Sequence, residues 1–78
     1  MNFSIFDTIV EDMKFSDNLK ALRAENNIGQ AKLANVLSIS IKTISHWETG
    51  YTEPSINQLI QIADYFNITI DELVGRTA

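Results

Sequence analysis

The chain has 78 residues, 45% hydrophobic and 21% charged, which allows one small packed domain and is at odds with a disordered or fibrous chain. There is no cysteine and a single histidine, His46, so disulfides and a thiolate-bound zinc are excluded and no structural metal or cofactor is expected. The net charge of −4 disfavours a polyanionic partner, but the acids are unevenly placed: residues 1–16 sum to −2, residues 17–50 to +1 and residues 51–78 to −3.

Apolar residues recur three and four apart almost throughout, which predicts an all-α protein. Ser4 followed by Asp7 predicts a leading helix near 5–14, with Ile5, Phe6, Ile9, Val10 and Met13 as its apolar stripe. A second helix is expected at about 17–26, capped by Ser16, turning Leu19, Ala21 and Leu22 inward and stopped at Asn27. A third runs from Gln30 to Leu37 with Leu33, Ala34 and Leu37 on one face. A fourth follows from Ile41 to Glu48 after only three residues, so the two must cross steeply. Gly50 closes that helix, and the stretch to Pro54 reads as a loop. Ser55 with Gln58 and Thr69 with Glu72 each form a capping box, opening helices near 56–66 and 70–75. The chain divides into an extension, 1–15, and a domain, 16–78. No apolar run exceeds two residues and the N-terminus has no basic segment before an apolar one, so neither a spanning helix nor a signal peptide is expected, and the compartment is read as the cytoplasm.

The informative stretch is Gln30 to Glu48. Ala34 is small where two helices approach most closely, and Leu33, Leu37, Ile44 and Trp47 supply a shared core that sets their crossing. On the helix from Ile41 this leaves Lys42, Ser45, His46 and Thr49 outward, with Ser40 as cap and Ile41 at the tip. Such a face suits hydrogen bonds to base edges and contact with a thymine methyl. Trp47 is phased inward and is read as core, whereas His46 is phased outward and is read as a base or phosphate contact in preference to a merely solvated ring.

With these residues in place, Leu19 to Val74 resembles the Cro and phage-repressor type of helix-turn-helix, the xenobiotic-response-element family. The resemblance is carried by Leu22-Arg23, Gln30 with Leu33-Ala34, Thr43-Ile44-Ser45, Glu48-Thr49-Gly50, Pro54, and Asn67 through Leu73. It implies a five-helix repressor-like bundle, to which the leading amphipathic helix is an addition. It implies that helix 41–48 reads the major groove, that Gln30, Ser40 and Thr43 lie near phosphates, and that Arg23 pairs with Glu48. It also implies a homodimer on a two-fold operator with half-sites about one helical turn apart.

The expected function is therefore a sequence-specific DNA-binding transcriptional regulator of the repressor type, with double-stranded DNA as partner and no membrane or small-molecule effector. Tyr51 joins the expected contact set, although it and Thr52 lie in a loop where they either touch phosphate or face water. Departures from the family pattern are Ser38, where glycine is favoured at a left-handed turn position, Ile41, where a polar residue is common, and the acidic segment Met1 to Lys14. The acidic balance keeps a rival open, a protein-interaction module that retains the fold without the DNA activity. An enzyme is not expected: no nucleophile sits beside a base, Gly29, Gly50 and Gly75 are scattered helix punctuation, and Asp71 and Glu72 suit a helix first turn rather than a carboxylate pair. The leading helix is expected to dock through Phe3, Phe6, Ile9, Val10 and Met13 onto the bundle or a second copy.

Overall fold

A computed structural model describes residues 14–76. They form five helices: α1 Phe15–Glu25, α2 Gln30–Leu37, α3 Ile41–Glu48, α4 Ile56–Phe66 and α5 Ile70–Val74. The leading helix near 5–14, with its docking stripe, lies outside the described residues except for Lys14. That residue is extended (φ −99°, ψ 173°) and forms the N-cap of α1.

Helix α1 thus starts two residues before the expected position, and Ser16 lies inside it instead of capping it. Asp17, at the third helical position, accepts from the Lys14 backbone N–H at 3.5 Å, which moves the start toward Lys14. Phe15 then packs edge-on against Trp47, with ring centroids 6.1 Å apart. The other starts follow the capping chemistry: Ser40, Ser55 and Thr69 accept from the backbone N–H of Thr43, Gln58 and Glu72. Gln58 and Glu72 return the bond to close their capping boxes.

All five helices end in the same way. Asn27, Ser38, Gly50, Asn67 and Gly75 have positive φ, between 57° and 81°. In each case the next residue's N–H reaches back to a carbonyl in the preceding turn, as in Ile28 to Arg23, Ile39 to Ala34 and Ile68 to Ala63, all at 3.0 Å. This is the Schellman arrangement, which satisfies carbonyls that a helix end otherwise leaves free. Ile28, Ile39 and Ile68 then turn their side chains against the core.

Every helix contributes to one core: Leu19 from α1; Leu33, Ala34 and Leu37 from α2; Ile44 and Trp47 from α3; Ile62 and Ala63 from α4; Leu73 from α5. Five of these, Leu19, Leu33, Ile44, Ile62 and Leu73, are fully buried, each contributing about 1.5–3 kcal/mol of hydrophobic transfer. Asn18 ties the two ends of the bundle together, its side-chain amide donating to the Leu73 carbonyl at 3.0 Å. No helix among the described residues is long and apolar enough to cross a membrane.

Candidate nucleic-acid interface

Ser38-Ile39-Ser40 joins α2 to α3. Ser38 occupies the left-handed region (φ 58°, ψ 44°), a geometry that costs a residue with a Cβ roughly 1 kcal/mol. Ile39 is anchored in the core, and Ser40 caps α3 through Thr43 N–H at 3.1 Å, with the Ser40 and Thr43 hydroxyls 2.9 Å apart. The turn is thereby held at all three of its residues, which fixes how α3 stands on α2.

Burial divides α3 into two faces. Ile44, Trp47 and Glu48 are buried, Lys42 is exposed, Ile41 at the tip is 50% exposed, and Thr43, Ser45 and His46 are half-buried. Thr49, just past the helix, is exposed and donates its hydroxyl to the His46 carbonyl at 3.2 Å. Tyr51 is 75% exposed, and its ring meets the His46 imidazole edge to face, centroids 4.8 Å apart. One surface thus offers an ammonium group, an imidazole, an apolar tip and the hydroxyls of Thr43, Ser45, Thr49 and Tyr51. These are the side-chain types that bond acceptors on base edges or touch a thymine methyl.

Behind this face lies a buried charge cluster. Glu48, 6% exposed, accepts from Arg23 Nε at 2.5 Å and Nη2 at 2.8 Å, and from Gln30 Nε2 at 3.0 Å. Arg23 also donates from Nη1 to the Ile28 carbonyl at 3.2 Å. Burial by itself pushes the Glu48 carboxyl up, but the hydrogen bonds from Arg23 and Gln30, with the positive charges of Arg23 and Lys20, outweigh it and hold the group below its ordinary value. The hydrogen bond that Arg23 donates to Glu48 in turn raises Arg23, against the opposing effect of its own burial. No buried side-chain nitrogen or oxygen among the described residues lacks a partner. The cluster joins the end of α1, the start of α2 and the end of α3.

Gln30 is the first residue of α2, half-buried, and its amide nitrogen is engaged by Glu48. The pattern of the sequence alone gives no sign of this bond, because eighteen residues separate the partners. The His46 and Tyr51 contact also escapes the sequence reading, although the Gly50 stop contains a signal for it: in a Schellman ending the residue after the left-handed one meets the side chain five positions back.

A sequence model of the helix-turn-helix family matches residues 19–73. The chain is similar to the HTH-type transcriptional activator BcrR of Enterococcus faecalis, 40% identical over 63 residues that cover 81% of this chain and 31% of that protein. It is similar also to the cryptic phage CTXphi transcriptional repressor RstR of Vibrio cholerae serotype O1, 38% identical over 66 residues, 85% of this chain and 59% of that one. The chain thus spans between about a third and three-fifths of the length of these curated relatives. Among solved structures, the P22 c2 repressor protein in complex with synthetic operator 9T superposes with a TM-score of 0.74 at 27% identity, covering 80% of this chain and 94% of that one. With the match spanning its core from Leu19 to Leu73, the chain belongs to the helix-turn-helix family.

Proposed function

We propose that the chain is a sequence-specific DNA-binding transcriptional regulator that sets α3 into the major groove. The observation that carries the reading is the division of α3: Ile44 and Trp47 are locked in the core, while Ile41 and Lys42 stand out from the surface beside Ser45 and His46. The names of the relatives support it, as does the operator-bound state of the P22 c2 repressor. In this reading Ile41, Lys42, Ser45, His46 and Thr49 face the groove, Gln30, Ser40 and Thr43 lie against phosphates, and Tyr51 belongs to the surface through its ring against His46. The cluster of Arg23 and Glu48 fixes the geometry behind them. Membership in this family assigns recognition, not catalysis.

Most of the net negative charge lies ahead of the described helices. Residues 1–13 carry three acids and no base, whereas residues 14–76 carry six basic and seven acidic side chains. We read the chain as a repressor, since occupancy of a promoter is enough to block it, and as a cytoplasmic homodimer on two-fold-related half-sites. The dimer reading draws support from Ile56 and Ile60, one turn apart on α4 and 74% and 41% exposed.

Selection of bound sequences from a random DNA pool tests the proposal. A two-fold-related consensus is expected, and a promoter carrying it should fall silent in a reporter strain. An unenriched pool would overturn the DNA reading. A single half-site, with a monomer in sedimentation, would overturn the dimer.

A further inference from the structure

Tyr51 is largely exposed and yet closely held. Its N–H donates to the His46 carbonyl at 2.9 Å, and Thr52 N–H reaches the same oxygen at 3.3 Å. Its ring stands 63° to the imidazole of His46, edge to face. The backbone that stops α3 at Gly50 therefore also delivers the Tyr51 ring onto His46. At the ends of α1, α2 and α4 the corresponding residue is an isoleucine turned against the core. At the end of α3 it is an aromatic ring, packed on a residue of the outer face.

We propose that Tyr51 is a positioning residue, holding the His46 imidazole in one orientation in the free protein so that the histidine meets DNA as a pre-set reading group. The inference rests on α3 being the reading helix. A histidine on an open helix face exchanges among rotamers, and freezing it on binding costs affinity. The ring contact settles that orientation before DNA arrives. The edge contact needs the ring and not the hydroxyl, so Tyr51→Phe preserves the function and Tyr51→Ala removes it. Neither substitution touches the backbone bonds that close the helix.

Two measurements on the full chain test this. His46 is the sole histidine, so its ring protons are identifiable in the NMR spectrum of the free protein. Tyr51→Ala should move them to the positions of a solvated histidine, and Tyr51→Phe should leave them in place. Affinities are then measured for the selected site and its single-base variants at one salt concentration. His46→Ala and Tyr51→Ala should each lower affinity for the preferred site roughly two- to ten-fold, the range of an aromatic pair. Both should relax the same base pair, with the double variant no weaker than either single one. Tyr51→Phe should match the parent. The proposal is overturned if Tyr51→Ala leaves the ring protons unmoved, if it weakens all sequences equally, or if its effect adds to that of His46→Ala. A loss shared by Tyr51→Phe would also overturn it, by making the hydroxyl a direct contact. A parent protein that selects no sequence, with the ring protons still responding to Tyr51→Ala, would show that the failure lies in the DNA reading and would remove the reading role with it.

Discussion

Truncating Arg23 to alanine removes three hydrogen bonds at once, two to Glu48 and one to the Ile28 carbonyl. Glu48 is left buried with Gln30 as its remaining hydrogen-bond partner. Losing one partner of a buried pair costs about 3–5 kcal/mol, because the other charge keeps its desolvation penalty. Here the lower end applies: the Arg23 side chain is 19% exposed against 5% for Glu48, Gln30 stays bonded, and Glu48 can relieve itself by taking a proton. A loss of about 3 kcal/mol is a large fraction of the roughly 3–9 kcal/mol available to a domain of this size. It should lower the melting temperature by roughly 12 °C or more, followed by circular dichroism. The double change Arg23→Met, Glu48→Leu replaces the pair with apolar groups of similar volume and should restore most of the loss. About 1 kcal/mol should remain missing, because the Ile28 carbonyl and the Gln30 amide lose their partners. Equal melting temperatures for the parent and Arg23→Ala, or a double variant as weak as the single one, would refute the reasoning.

The same cluster predicts an acid limb. Because the folded Glu48 carboxyl is held below its ordinary value of 4.5, its contribution is complete above that value and disappears as pH falls through the lowered folded one. Melting between about pH 7 and about pH 3 should fall more steeply for the parent than for Arg23→Met, Glu48→Leu. Ser38→Gly should raise stability by about 0.5–1 kcal/mol in urea unfolding, since relief of the left-handed backbone exceeds the added freedom of the unfolded chain. A neutral or lower midpoint would count against strain at Ser38. Under the proposed function, Lys42→Ala should cost about 1–3 kcal/mol on the selected site and relax one base pair in each half-site, measured by titration of single-base variants. Gln30→Ala should instead weaken all sequences alike, and the reverse pattern would place the wrong helix in the groove.

Much of the architecture was legible because its signals are local. The bounds of α2, α3 and α4 fall where Gly29, Ser40 and Ser55 begin a helix and where Ser38, Gly50 and Asn67 can turn left-handed. The start of α1 was misread because Ser16 is the better cap by type, while the bond actually made runs from the Lys14 backbone to Asp17. The apolar face of α3 followed from phase alone, with Ile44 and Trp47 inward. The engagement of Gln30 by Glu48 was not legible. It depends on where α2 and α3 cross, a distance that no pattern along either helix contains. The pairing of Tyr51 with His46 lay between these cases, encoded in the helix stop but visible only when the stop is read as a contact between side chains.

Charge placement gives the DNA reading a physical route that net charge conceals. Among the described residues, two of the six cations have acidic partners, Arg23 with Glu48 and, more loosely, Lys20 with Asp17 at 3.9 Å. With six bases against seven acids in residues 14–76, part of the attraction for phosphate must come from elsewhere. The N-termini of helices are the available source, since their first N–H groups point outward and carry a partial positive charge. The acids respect this. Asp17 sits in the first turn of α1, and Asp71 and Glu72 in the first turn of α5, where they complete those helix ends. The first turns of α2, α3 and α4 hold no acid of their own; the Glu48 carboxylate bonds Gln30 at the start of α2, whereas the first turn of α3 has no carboxylate bonded to it among the described residues. Ser40 stands there, so an acidic protein can present the positive end of α3 to a polyanion while Asp17, Asp71 and Glu72 complete the ends of α1 and α5.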